Sequence, residues 1–291
     1  MNHSMINASV SMNALMRKLD ILSNNMANMN TDGFKKQEAS FEDLLTIVKQ
    51  QHPKQQLPGR ISPAGTGITI GSGARLSQVQ LNMSQGTLRS TDQPFDLAIE
   101  GDALFEIGLR TLDAEGNESF RQAWTRNGAF QASVIPGNES LMLTTSDGHP
   151  VYGVNDEPVL VPRGSEISVD SQGNIWSAST EDPAAPHELV GQLKLVRAIR
   201  PQLLQTHGDN LFVLPPQFAA QTGQLMEQLD LNQFAIGEAP VGVRQGFLEG
   251  SNVDLATEMA ELIQVQRAFQ LNARALTSSD TMMDLTNKLR G

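Results

Sequence analysis

The chain has 291 residues, of which 39% are hydrophobic and 5% aromatic, with a formal net charge of −11 and no cysteine. An apolar share this low predicts a modest core and much polar surface, left for water or for further copies of the chain. The acidic balance, spread without a block of like charge, argues against nucleic acid and anionic membranes as partners, and the missing thiols exclude disulfides and thiolate-ligated metals.

No apolar run reaches the ~18 residues of a membrane span, and the first ten residues, polar and amphipathic, lack the cationic and apolar blocks of a secretory signal. The expectation is a chain that stays in the cytosol or is exported without a cleaved signal peptide. From Met5 onward, apolar residues fall at Ala8, Met12, Leu15, Leu19, Leu22, Met26 and Met29. After a first step of three, the steps alternate four and three, which is a heptad seam on a helix. Ser4 or Asn2 can cap its start, and Asn30-Thr31-Asp32-Gly33 ends it with turn residues and a glycine.

Residues 34–81 are polar and broken by Pro53, Pro58, Pro63 and a group of glycines. They read as an extended linker or paired strands, with a short helix expected across Phe41 to Val48. Residues 82–235 carry short apolar runs separated by turns such as Glu115-Gly116-Asn117, Pro136-Gly137-Asn138, Asp147-Gly148 and Gln172-Gly173-Asn174. Leu97 to Ile99, Ala103 to Ile107, Ile167 to Val169, Leu193 to Val196 and Leu211 to Leu214 are the strand candidates. Strands do not alternate with helices here, which argues against a parallel α/β enzyme fold. A return linker over residues 236–250 leads to a second helix over 251–291. Its seam runs Leu255, Met259, Leu262, Gln266, Phe269, Ala273, Leu276, Asp280 and Met283, with Ser251 and Asp254 as a capping arrangement. Polar Gln266 and Asp280 either set register and partner number or face water where the helix leaves its partner.

The fold class expected is α+β. A mainly antiparallel β domain over 82–235 lies between an N-terminal axial helix (1–33) and a C-terminal axial helix (251–291). The helices pair with each other as a coiled coil, with copies in neighbouring subunits, or with both.

Sites for chemistry are weak. His3, His52, His149, His187 and His207 do not pair at a metal-binding spacing, and loop histidines in water are the better reading. Asp113-Ala114-Glu115-Gly116-Asn117 has its glycine in the wrong place for a calcium loop and lacks the bidentate glutamate. Gly65-Thr66-Gly67 and Gly71-Ser72-Gly73 have neither the lysine nor the following helix of a phosphate cradle. A muramidase would need a raised-pKa glutamate opposite a second carboxylate in a cleft, whereas the acidic residues here are scattered near turns. No catalytic, cofactor or metal residue is assigned, and no cofactor, small-molecule substrate or nucleic acid is expected. The competing reading is a fully folded β module that presents a surface to a protein partner.

Both ends match something specific. Leu19-Asp20-Ile21-Leu22-Ser23-Asn24-Asn25-Met26-Ala27-Asn28-Met29-Asn30-Thr31-Asp32-Gly33-Phe34-Lys35-Lys36 resembles the N-terminal signature of the bacterial flagellar rod and hook proteins. Gly246-Phe247-Leu248-Glu249-Gly250-Ser251-Asn252-Val253-Asp254, continuing through Gln266-Arg267-Ala268-Phe269, resembles that family's second signature. Between them, Ser84 to Leu88, Pro94 to Ile99, Thr125 to Phe130, Val190 to Leu193 and Gly208 to Phe212 fit in order. The length resembles the distal rod type and one proximal rod type, and Phe41-Glu42-Asp43-Leu44-Leu45 leans distal, with a proximal rod subunit or a hook-type axial protein as the alternative. The departures at Arg200 to Leu204 and Asp92 to Pro94 bear on the subtype.

The resemblance implies a structural subunit of the flagellar basal-body rod, polymerising into the helical axle that carries motor torque to the hook. It implies partners that are copies of the chain, other rod and hook proteins and the type III export apparatus. It also implies a location outside the cytoplasmic membrane, reached without cleavage of a signal. On the same grounds the assembly interface is expected at Met12, Leu15, Leu19, Leu22, Asn24, Asn25, Met26 and Asn28. Its C-terminal half is expected at Leu255, Met259, Leu262, Gln266, Phe269, Ala273 and Leu276.

Overall fold

A computed structural model describes residues 2–43, 47–49, 68–70, 74–112, 118–134, 140–179, 187–208, 210–231 and 241–290. The fold is α+β, its paired strands antiparallel, with long helices at both ends and a short one, Thr222–Leu225, near the end of the β region. The chain divides into two units. One comprises residues 1–26, 37–80 and 254–291, and the other residues 27–36 and 81–253.

In the first unit the N-terminal helix is Asn2–Ala27, of 26 residues, and the C-terminal helix is Leu255–Arg290, of 36. At 1.5 Å per residue they run roughly 39 Å and 54 Å. Asp254 caps the second helix. Its carboxylate accepts from the backbone N–H of Ala256 and of Thr257, both at 3.3 Å, and from the Thr257 hydroxyl at 2.5 Å. Ser251 instead accepts from the N–H of Val253, a turn that leads the chain into the cap. Strand Gln37–Asp43 pairs with Ala74–Leu81, and Ile47–Lys49 pairs with Ile68–Ile70. The short helix expected across Phe41 to Val48 is therefore replaced by strand at its described residues. A three-residue β-ladder there satisfies backbone groups that a single helical turn would leave half unpaired. The proline and glycine run from Pro53 to Gly67, and Gly71 to Gly73, lie outside the described residues, as do the turns at 113–117 and 136–138.

The second unit is built on a six-stranded sheet. Its spatial order is Gln205–His207, Leu211–Val213, Glu118–Thr125, Leu104–Leu112, Leu195–Ala198 and Met226–Gln228. The longest pairing joins Leu104–Leu112 to Glu118–Thr125, from Phe105 opposite Thr125 to Leu112 opposite Glu118. Three-stranded sheets follow at Gln131–Val134, Ser140–Thr144 and Leu160–Pro162, and at Ser165–Val169, Asn174–Ser179 and Glu188–Gln192. Two faces of the long hairpin are buried in two separate clusters. Phe105, Ile107 and Ala123 join Leu97, Ile99, Leu143, Val151, Ile175, Leu193 and Val243, whereas Leu104 and Trp124 join Val196, Phe212, Leu214 and Met226. Alternation of side chains along each strand lets the same two strands feed both clusters with successive residues. The returning chain is not a bare linker. Gly242–Gln245 pairs with Leu97–Glu100, and Phe247–Glu249 pairs with Leu88–Ser90.

Candidate functional site: a buried ion lock and two helix faces

The segments that carry the sequence motifs meet around one carboxylate. Glu249 ends the strand Phe247–Glu249, and its side chain is 1% exposed. Its Oε1 accepts from Lys35 Nζ at 2.8 Å and from the backbone N–H of Gly86 at 2.7 Å. Its Oε2 accepts from Arg126 Nε, and its backbone carbonyl accepts from the N–H of Gly33 at 2.7 Å. Arg126 also donates to the carbonyls of Ala103, Ile99 (2.9 Å) and Gly101 (2.7 Å). Lys35 also donates to the carbonyl of Ser84 at 2.8 Å. Two cations and one anion out of water are tolerable because every partner atom is in place.

Burial pushes the Glu249 carboxyl up, but the Arg126 guanidinium and the Lys35 ammonium pull it down further, leaving it below the usual carboxylate range. For Lys35, burial and the neighbouring Arg126 outweigh Glu249, and its pKa falls below the ordinary lysine value.

Two glycines make the approach possible. Gly33 has φ +73°, and a Cβ there would lie 2.4 Å from the Asn127 nitrogen; a Cβ on Gly86 would lie 2.0 Å from the Gly250 carbonyl oxygen. Asn252 completes the junction. It accepts from the N–H of Lys36 at 2.8 Å and donates to the carbonyls of Asn82 (2.9 Å) and Ser84 (3.0 Å). Thus the two motif-bearing ends of the chain enter and leave the β unit side by side. Sequence reasoning quoted Lys35, Arg126 and Glu249 inside motifs and gave none of them a role. The available signal was three charged residues within otherwise apolar or turn-forming stretches.

In the helical unit, Asn25 is 1% exposed and links three elements. It donates to Glu258 Oε2 at 3.2 Å and to the Gln37 carbonyl at 3.0 Å, and accepts from the Gln37 N–H at 3.0 Å. Lys18 pairs with Glu261 at 3.0 Å and lies over the Phe41 ring at 5.8 Å. The two terminal helices are joined by these contacts. Among the residues expected at an interface, Leu22 and Asn25 are buried, Met12, Leu15, Leu19, Met26 and Asn28 are half-buried, and Asn24 is exposed. On the C-terminal helix, Leu262, Phe269, Ala273 and Leu276 are half-buried, whereas Leu255, Met259 and Gln266 are exposed, as is Asp280. The covered stripe there includes Glu258 and Val265, each one residue before an exposed seam position. Glu258 is held on that stripe by the hydrogen bond from Asn25. Large apolar side chains remain in the open on this helix: Ile263, Leu271, Met282, Leu285 and Leu289, in addition to Leu255 and Met259.

A second buried ion pair lies in the β unit, where Lys194 donates to Glu106 at 3.1 Å and to Asp156. Burial lowers the Lys194 pKa, but the two carboxylates raise it more. Beside it, an open cavity of about 520 Å³ is lined by Glu106, Gln122, Lys194, Met226 and Gln228. Among the described residues there is no cluster of His, Asp or Glu placed to hold a metal ion, and no helix long and apolar enough to cross a membrane.

Comparison with known proteins falls on the same segments. Residues 6–35 match the family model described as flagella basal body rod protein, and residues 244–289 match that of the flagellar basal body rod FlgEFG protein C-terminal region. The flagellar basal-body rod protein FlgG of Borreliella burgdorferi is 33% identical over 287 residues, covering 97% of each chain. That of Caulobacter vibrioides is 31% identical over 285 residues, again 97% of each. The flagellar hook-basal body complex protein FlhP of Bacillus subtilis is 30% identical across the whole of both chains. Likeness at this level from end to end, with Lys35 and Glu249 inside the two matched segments, means that the chain belongs to the FlgG family of flagellar basal-body rod proteins and is a structural subunit of the rod.

Proposed function

We propose that the chain forms the distal part of the rod and is a structural element without catalytic activity. In this reading the terminal helices pair as a coiled coil, and their faces pack copies of the chain, and other rod and hook proteins, into the axle. The interface comprises Met12, Leu15, Leu19, Leu22, Met26 and the polar Asn24, Asn25 and Asn28 on one helix. On the other it comprises Leu255, Met259, Leu262, Gln266, Phe269, Ala273 and Leu276. Residues 1–33 and 251–291 are axial and 82–235 form the β domain, with connecting chain at 34–81, while the return segment 236–250 adds strands Gly242–Gln245 and Phe247–Glu249 to the β unit. The subunit leaves the cytoplasm through the type III apparatus with its N-terminus uncut.

The observation that carries this reading is the end-to-end likeness to FlgG proteins. It is supported by the large apolar side chains Leu255, Met259, Ile263, Leu271 and Met282 that the C-terminal helix leaves exposed, which contacts with further copies would cover. The full-length likeness to a hook-basal body complex protein favours, as a second reading, another position in the same axial structure.

Electron microscopy of basal bodies from a strain lacking the gene separates the two. A distal-rod subunit predicts particles that retain a short proximal rod stub and lack the hook. A complete rod with a truncated hook would favour the second reading, and intact flagella would reject both.

A further inference from the structure

The ion lock joins chain positions that are made at opposite ends of synthesis. Lys35 and Glu249 are 214 residues apart, and Arg126 and Glu249 are 123 apart. Everything between residues 81 and 231 that forms the two buried clusters is made before the returning segment. Yet that segment supplies what the earlier part lacks. Val241 and Val243 fill the larger cluster, and Gly242–Gln245 covers the edge of Leu97–Glu100. The Gln245 side chain joins two other elements, accepting from the Val169 N–H at 3.0 Å and donating to the carbonyls of Ile167 (2.9 Å) and Pro94 (2.8 Å). Glu249 neutralises Lys35 and Arg126, whose side chains are 1% and 0% exposed. The other carboxylate that acts on Lys35, Asp102, is exposed to water.

We infer that Glu249 is the closing latch of the β unit, so that the chain stays open until residues 242–249 arrive and then folds in one step. Before that arrival, closing the core would bury two like charges with no anion between them, which low-dielectric surroundings strongly disfavour. After it, the same two charges hold the latch in place. The contacts that reward closure are distant in sequence, 214 residues for Lys35 and Glu249, so the entropy of closing the loop is met only when they form. A chain made from its N-terminus therefore stays extended through most of its synthesis. That property suits a subunit that has to pass a membrane before it assembles, and it does not depend on which part of the axle the subunit occupies.

The test uses the full chain at a concentration where it is monomeric. It is refolded from denaturant and pulse-labelled by hydrogen exchange. The expected result is one rate of protection shared by residues 104–112, 118–125, 195–198, 211–213 and 242–249. Protection of the four earlier segments in a faster phase, with 242–249 still open, would overturn the inference. Native-state exchange in low denaturant gives a check that requires no variant. Residues 242–249 should open only with the rest of the unit, and their opening alone at lower denaturant would also overturn it. Glu249→Gln removes a charge-assisted partner and should slow protection of all five segments by the same factor, about tenfold or more. Slowing confined to 242–249 would count against a latch.

Discussion

Lys35 and Glu249, 214 residues apart, form a buried ion pair at 2.8 Å that brings the segment after the first helix against the segment before the last. Arg126 shares the carboxylate, so the unit of stability is a triad, and its members are unequal. Glu249→Leu leaves two buried cations facing each other, whereas Lys35→Met leaves Glu249 still paired with Arg126. The expected costs are about 3–5 kcal/mol for the first and clearly less for the second. Denaturant titration of the three chains checks the order, and equal or reversed costs would show that the triad is not a unit.

Acid should release the same lock. The folded Glu249 carboxyl lies below the usual carboxylate range, because Arg126 and Lys35 outweigh burial. A group depressed in the folded state contributes stability that is complete above its unfolded pKa and is lost as pH falls through the folded one. Asp170 moves the same way: burial alone would raise it, but hydrogen bonds from Asn174, Trp176 and Gln172 hold it down. Stability should therefore be flat near neutrality and fall steeply below the ordinary carboxylate range. In Glu249→Gln the acid fall should be shallower, with lower stability at neutral pH. An acid limb identical to that of the unaltered chain would assign the transition to other groups.

The helix faces predict two distinct phenotypes. Leu22 is 3% exposed within the chain, and Leu271 is 65% exposed. A charge at the first position should damage the folded monomer, by several kcal/mol unless neutralised. Leu271→Asp should leave the monomer's circular dichroism and melting unchanged and abolish filaments in the cell. Leu262→Asp, at a half-buried seam position, should also abolish filaments. Normal motility with Leu262→Asp and Leu271→Asp together would remove the case for these faces as contacts between subunits.

Export can be tested independently of assembly. Residues 2–18 lie wholly in the N-terminal helix, and none of the hydrogen bonds of the ion lock involves them. Deleting them should hold the protein in the cytosol while the β unit keeps its protection against exchange. Mass spectrometry of basal bodies should find the native N-terminus, apart from Met1. A start at residue 20 or later would show processing, and secretion of the deleted chain would place the export signal elsewhere.

Close backbone packing yields a further prediction. At Gly33, alanine would have to adopt φ +73° and place its Cβ 2.4 Å from Asn127. Gly33→Ala is expected to lower stability by about 1–3 kcal/mol or more, and Gly148→Ala by less, because nothing lies within 4 Å of a Cβ there. Thermal melts of the two variants compare strain plus a clash with strain alone.

The sequence alone determined the class of fold and the nature of the two ends. Apolar spacing of three and four around Leu15, Leu19 and Leu22 specified a helix, since only that period brings them to one face, and short runs between glycine turns specified strands. The motif spacing was also enough for the family. What it left open were contacts between distant residues. Phe41 lay in a stretch expected to form a short helix, yet pairing of Gln37–Asp43 with Ala74–Leu81 made it strand, because a ladder partner outweighs a weak local preference. Heptad spacing gave the C-terminal seam at Leu255, Met259 and Leu262, whereas in the structure Glu258, bonded to Asn25 across 233 residues, and Val265 are the buried positions. Lys35, Arg126 and Glu249 were each visible as a charge in a motif. Only the tertiary structure set them against one another, because a buried charge is stable where its partner is, and that distance cannot be read along the chain.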